Sequence, residues 1–487
     1  MSWAPSRTSS KIRAFRYSLP ILGVATLFPL VLILSYWAFG ATSFWRLIRL
    51  RNPALHHSNG QHMNQPQSTL DWDLSVTETA ATWDWQRTTI PNNAHVHGFT
   101  VFDNIYLRNG TFYVVTEDAA DLPPIERLLS RPLERKPGVD TTPTNEQLQF
   151  ITPGEAESVL GTRLTHIQGF TVIIYDPSQF MKHFYHWFGE IILGTWRVYS
   201  HLLLPHPSST ASPLPFPQRF ILPFISNEEW RDRSGMDGPL MRAAFPEAAI
   251  QQATYWEDLK KLGTTVAFER IILVNRSAAH RHPFSGLWFK MIAGTMNVSA
   301  PQDFWNPVRM SLWRNILTPE FIAYNISNPS SLPLVTYISR QGSGRRLTAE
   351  DHDALIVALG DLAMQGVCEV QIAVMEKMSL VEQIELVSRS TILLGVHGNG
   401  LTHQLWMPPS SRSTVIEIFI PNGYVFDYEI LARNMGHRHY AIWNDTFLTY
   451  PEGTYHQGVK YPDGFHGATI PVHAETIARI IRERLAG

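Results

Sequence analysis

The stretch "TILLGVHGNGLTHQLWMPP", Thr391 to Pro409, runs a continuous apolar segment straight into a histidine and two glycines. A short, unbroken apolar run rich in β-branched residues reads as a strand of a parallel sheet, covered on both faces. His397-Gly398-Asn399-Gly400 then falls where that strand gives way to a helix. Glycines at such a point let the backbone approach a ligand closely, and the first amides of the next helix, Leu401 to His403, would face an anion. His397 could donate a hydrogen bond to a phosphate or a sugar hydroxyl. The plainer alternative is a tight turn in which Asn399 caps the helix and His397 is packed, and a short glycine motif does not separate the two readings.

The segments on either side supply the context. "LVTYISR" before it and "STVIEIFI" and "HRHYAIW" after it read as strands, as does "VCEVQIAV". Between them come a capped helix from near Thr348, an apolar stripe at Met378, Val381, Ile384 and Val387, and "YVFDYEILARNMG" ending on a glycine. Strands alternating with helices of this size imply parallel βαβ units in a doubly wound sheet, which binds ligands outside the carboxyl ends of its strands. Arg340, Arg345 and Arg346 flank two glycines in "YISRQGSGRR" at another strand end. Guanidinium forks suit a pyrophosphate, although a solvated basic loop would look the same in sequence. Glu417, inside "VIEIF", is a carboxylate in an apolar strand; it must either meet a ligand at the strand mouth, where a ribose diol would satisfy it, or find a partner inside. Glu376 occupies a comparable edge position, which an ordinary helix N-terminal acid also explains.

In the first half, "NGTFYVVTE", "GFTVIIYD", "RFILPFIS" and "FERIILVN" read as strands, giving an α/β domain over residues 86–310 ahead of one over 311–487. Within "KHFYHWFGEII", His183, His186 and Glu190 share a helix face. His186 and Glu190 could form an imidazole and carboxylate pair for general-base work. A metal site and a structural histidine on an aromatic-rich helix are the alternatives, the metal lacking a recognisable third ligand. Asp-x-Asp patterns at Asp71/Asp73 and Asp351/Asp353 do not suggest a divalent-metal site, since the first lies in a polar segment and the second reads as a helix N-terminus.

The 487 residues exceed what one core usually holds, and 44% apolar with 17% charged residues is a globular composition. A formal net charge of -2 provides no field for nucleic acid, so nucleic-acid binding is not expected. The single Cys368 excludes an intrachain disulfide and a cysteine zinc cluster. From Tyr17 to Trp45 there is no charge, and residues 19–41 are long enough to span a bilayer. Residues 1–18 then form a cytosolic tail, with four basic residues before the span against three after it, and residues 42–85 a polar stem. A cleaved signal peptide is the rival, but the run is longer than usual for one. Sequons at Asn109, Asn275, Asn297, Asn325 and Asn444 are compatible with a lumenal body.

Taken in order, Phe184 to Glu190 ("F-x-H-W" and a following acid), Ser339 to Arg346, Glu376 to Gln383, His397 to Thr402 and Val415 to Ile418 resemble glycosyltransferase family 61. The resemblance implies a type II membrane enzyme of the Golgi or endoplasmic reticulum with a GT-B fold, two Rossmann-like domains facing a cleft. It implies inverting transfer of xylose, arabinose or N-acetylglucosamine from a UDP-sugar to a glycan or glycoprotein hydroxyl, without a cofactor or an Asp-x-Asp metal. The donor would then lie on Arg340, Arg345, His397 and the turn formed by Gly398, Gly400, Leu401 and Thr402, with Glu417 at the ribose. His186, tuned by Glu190, would be the base. The chain departs from the family at Asn399, usually alanine, and at His183, more usually asparagine. A membrane-tethered glycan- or nucleotide-binding protein without catalysis is the alternative function.

Overall fold

The computed structural model describes residues 84–204, 213–327, 332–451 and 458–486, the side chains of 325–327 excepted. The expected tail, membrane span and nearly all of the stem lie outside the described residues. Among the described residues no helix is long and apolar enough to cross a membrane.

Two sheets carry the chain. The second contains β9 (Leu334–Ile338), β10 (Glu369–Ala373), β11 (Ser390–Val396), β12 (Thr414–Ile418), β13 (Arg438–Trp443) and β14 (Thr446–Tyr450), in the order β10-β9-β11-β12-β13-β14. All neighbours are parallel except β13 and β14. The pleat explains the unbroken apolar run of β11. Ile392, Leu394 and Val396 join a core with Leu355 and Leu359 of one helix (Ala349–Met364) and Ile477 and Ile481 of another (Ala474–Ala486). Leu393 points the other way, into a core with Ile384 and Val387 of the helix Leu380–Arg389 and Ile430 and Leu431 of Asp427–Met435. With both faces covered, no position is left for a polar residue. The local signals are also present: Thr348 caps one helix, Ser379 and Glu382 form a capping box on the next, and Gly436 closes the third in the left-handed region.

The first sheet contains β1 (His95–Val96), β2 (Phe99–Arg108), β3 (Thr111–Val115), β4 (Leu148–Ile151), β5 (Leu164–Ile174), β6 (Arg219–Ile221), β7 (Ala249–Gln251) and β8 (Thr265–Val274). Their order is β4-β3-β2-β8-β5-β6-β7, with β1 on β2. The topology of this domain was not legible in the sequence, and its sheet is mixed. The half from β8 to β7 is parallel, but β2 runs antiparallel to both β3 and β8. The reason is local: Asn109 and Gly110, both at positive φ, turn β2 back as a hairpin into β3, leaving no room for a crossover helix.

One apolar core holds Trp187, Phe188 and Ile191 from the first half together with Leu401, Trp406, Ile430 and Leu431 from the second. Three histidines buried in the second half stay neutral. His437 contacts Ser413 Oγ at 2.9 Å and the Gln404 carbonyl at 3.1 Å. Burial brings His403 and His437 down to about 4 and His439 to about 3, from an ordinary value of about 6.5. The unfolded chain takes up these protons near 6.5 while the folded chain refuses them until pH 3 to 4. Their contribution is therefore complete above that ordinary value and is lost as pH falls through the window. Between pH 7 and pH 4 the native chain should lose on the order of 3 kcal/mol of stability relative to His437→Gln, which has no imidazole to protonate on unfolding; thermal unfolding across that range checks it.

Candidate active site

The second sheet reverses its winding between β9 and β11: the chain leaves β9 towards one edge and β11 towards the other. The crevice outside the carboxyl ends of two such strands is where open α/β sheets bind ligands. The two motifs of the sequence reading meet there. Arg340, just past β9, donates from Nη1 to the carbonyl of His397, just past β11, at 2.9 Å. Its guanidinium lies so close to Gly398 that a Cβ there would sit 1.3 Å from Nη1. At Gly400 a Cβ would be 3.0 Å from Ile338. Both glycines are needed for close approach, and neither has a left-handed backbone.

His397 is held from behind. Its Nδ1 meets Glu417 Oε1 at 2.5 Å, and the other oxygen of Glu417 meets His439 Nε2 at 2.8 Å. Phe419 stacks on the His397 ring, with Tyr428 and Phe465 against it. Burial, then Arg345, Lys290 and Arg340, keep His397 well below its ordinary range. Burial, then Asp427 and Glu429, push Glu417 well above the usual carboxylate range. Glu417 is fully buried with both oxygens occupied, so the structure realises the internal partner and not the strand-mouth ribose contact. Arg345 faces the Phe465 ring at 5.6 Å, and its Nη1 is buried with no hydrogen-bond partner.

The turn differs from the expected α-helix. Asn399–Trp406 winds as a 3₁₀ helix. Leu401 donates its amide to the Gly398 carbonyl at 2.9 Å and buries its side chain, as does Thr402. Thus Leu401 presents no free amide to an anion; the amides of Asn399 and Gly400 precede that first bond. Asn399 does not cap its own helix. Its Oδ1 accepts from the amide of Tyr185, 3.1 Å away in the first half of the chain.

Tyr185 begins a helix wound as a π-helix over Tyr185–Ile192, continuing as an α-helix over Leu193–Ser200. Such winding is frequent at functional sites. Glu190, 1% exposed, accepts from His186 Nδ1 at 2.6 Å, from Arg276 Nη1 at 2.7 Å and from the Met291 amide at 3.1 Å. Against the upward push of burial, Arg276 and His186 hold its carboxyl well below the usual range. An ionised Glu190 fixes the His186 proton on Nδ1, leaving Nε2 as a lone-pair acceptor on a partly exposed ring. Arg276 Nη2 is buried without a partner. His183 stands exposed, 5.0 Å from His186 between ring centres. Among the described residues no cluster of three or more His, Cys, Asp or Glu is arranged to hold a metal ion.

The two clusters adjoin. Rings run from His186 to Tyr185 at 5.2 Å, Tyr185 to Tyr428 at 5.6 Å and Tyr428 to His397 at 5.2 Å. Lys290, itself paired with Asp427 at 2.6 Å, lowers both Glu190 and His397. Residues 184–416 match the sequence model of Glycosyltransferase 61 and include Tyr185, His186, Glu190, Arg276, Lys290, Arg340, Arg345, His397 and Asn399, while Glu417, Asp427, Tyr428 and His439 lie beyond it. This segment is a glycosyltransferase family 61 domain. The chain is also similar to the EGF domain-specific O-linked N-acetylglucosamine transferase of Drosophila melanogaster, with 30% identity over 152 residues, 30% of this chain and 26% of that protein. The chain therefore spans about a quarter of the length of the curated relative it matches.

Sequence reading missed Arg276, Lys290, Asp427 and Tyr428, which lie far from the transferase motifs they serve. Asn275-Arg276-Ser277 had looked like a sequon, but Asn275 is fully buried; its side chain donates to the Tyr175 carbonyl and accepts from the Ala278 amide. Two stability predictions follow from the geometry. Arg276→Ala should cost about 3 to 5 kcal/mol by removing the guanidinium partner of the buried Glu190, which keeps only His186 and the Met291 amide. Asn399→Ala should cost about 1 kcal/mol, the value of a lost helix cap. Denaturant unfolding checks both.

Proposed function

We propose that the chain is an inverting, UDP-sugar-dependent transferase of the secretory pathway, built as a GT-B enzyme and anchored through residues 19–41. The observation that carries the donor assignment is the pair Arg340 and Arg345 at the switch point, with Arg345 Nη1 buried and unpartnered. Neither arginine forms an ion pair among the described residues. A diphosphate would satisfy both guanidinium groups, with the amides of Asn399 and Gly400 and His397 Nε2 alongside. Beside them lies a cleft of about 400 Å³ lined by Phe184, Met375, Glu376, Met378, Gly400 and His403, suited to a nucleoside. Glu376, exposed and next to Gly342, replaces Glu417 as the carboxylate for the ribose diol. Glu417 instead sets the orientation of His397.

The acceptor hydroxyl gives its proton to His186 Nε2 as its oxygen attacks the anomeric carbon. The bond from that carbon to the phosphate oxygen breaks, and UDP leaves with the electron pair onto the arginines. Glu190 and Arg276 keep the imidazole in the required tautomer throughout. The name of the Drosophila relative, an N-acetylglucosamine transferase, favours that sugar among the three.

Acceptor-stimulated UDP release by the purified chain, across UDP-xylose, UDP-arabinose and UDP-N-acetylglucosamine, tests this. Arg340→Ala should raise the donor KM, and His186→Asn should lower kcat by about 10² to 10⁴ while leaving UDP binding intact. Unchanged turnover in both variants would sink the assignments. UDP binding with no turnover on any sugar would favour the non-catalytic alternative.

A further inference from the structure

Among the described residues, ten other than glycine have a left-handed backbone, and eight of them are asparagine or aspartate, which tolerate it. The other two are Phe180, at φ 67°, and Phe289, at φ 57°. For a bulky residue this is a genuine outlier, which persists only where surrounding structure enforces it and which concentrates at functional sites. Both rings are also turned outward, 51% and 62% exposed, against the tendency of phenylalanine to be buried.

Each is enforced by a specific device. The Gln179 side chain clamps the backbone of Arg135 at both ends, accepting from its amide at 2.6 Å and donating to its carbonyl at 2.9 Å, which fixes the loop carrying Phe180. Phe289 ends the helix Pro283–Trp288, its amide donating to the Ser285 carbonyl at 2.8 Å, while Trp288 is stacked between Phe284 and Phe426.

Each is also one step from Glu190. The Phe180 ring lies 5.0 Å from His186 and 5.4 Å from the Arg276 guanidinium, both of which bond Glu190. Phe289 precedes Lys290 and Met291, and the Met291 amide bonds Glu190. Phe180 thus lies directly against the groups that bond Glu190, while Phe289 is joined to them along the chain through Lys290 and Met291; within the cluster Arg276 Nη2 is a donor with no partner.

A pyranose ring matches this layout: its apolar C–H face covers an aromatic ring, and its equatorial hydroxyls meet donors around the edge. We propose that Phe180 and Phe289 form the acceptor subsite and that what they receive is a carbohydrate, one sugar ring of a glycan. The inference rests on the transferase reading above for the role of His186 as base. Phe180 is then the residue that presents the acceptor hydroxyl to Nε2, and Phe289 holds the neighbouring part of the same glycan.

Phe180→Asn and Phe289→Asn are the informative variants, because asparagine accepts the left-handed backbone while the ring is lost; Phe180→Tyr keeps the ring. Binding of the purified full-length chain to an immobilised panel of free oligosaccharides and unglycosylated peptides is measured by interferometry, without donor. Each asparagine variant should bind its oligosaccharide about tenfold more weakly, the size of one lost stacking contact, with Phe180→Tyr close to the native chain and UDP binding unmoved. Oligosaccharide binding untouched by both asparagine variants overturns the subsite. So does binding of sugar-free peptides alone. If His186→Asn keeps full turnover while Phe180→Asn still loses the oligosaccharide, the base assignment fails and the subsite stands.

Discussion

Arg340 lying flat against Gly398 is the contact on which the mouth of the second sheet depends. It ties the loop after β9 to the turn after β11, the two strands between which the winding reverses. A side chain at Gly398 would occupy the space of the guanidinium, so the arginine can hold this position only against bare backbone. Once it is there, the His397 carbonyl is used, the His397 ring is directed away from it, and Glu417 closes on that ring from behind. Arg345 then lies near Arg340 with like charge, and neither forms an ion pair among the described residues.

The first half of the chain reaches this mouth through two links of different character. One is a single hydrogen bond from the Tyr185 amide to Asn399, which satisfies a first-turn amide of the π-helix from another part of the fold. The other is electrostatic. Against the downward push of burial, Asp427 and Glu190 raise Lys290 above its ordinary range, so its charge is present between Glu190 and His397. The lysine thereby favours the ionised form of Glu190 and the neutral form of His397 at once. Lys290 of the first half thus adds to what Arg345 does at His397, and Asp427 of the second half keeps Lys290 charged.

Much of the second sheet was legible because its strands and helices are specified locally. A strand covered on both faces is mostly apolar, and capping residues mark helix ends whatever surrounds them. The first sheet was less legible. The apolar runs of β5 and β8 were plain, but whether neighbouring strands run parallel depends on which elements connect them, and β2 drew no notice although it pairs with β8 along nearly its whole length. The site followed the same division. His186 and Glu190 lie four apart on one helix, and their pairing follows from that spacing. Arg276 and Lys290 approach Glu190 from distant segments, and no periodicity marks them.

The sequence alone determined that the last third is a doubly wound sheet, that a glycine turn and an arginine loop end two of its strands, and that an imidazole and a carboxylate share a helix face, because each of these is set by neighbours a few residues away. Only the tertiary structure decided that Glu417 serves His397 from inside, that Asn399 caps a helix other than its own, and that two phenylalanines stand outward in strained turns beside Glu190. These outcomes rest on which buried donors and acceptors remain unpaired once the chain has folded, and that is a property of the whole core.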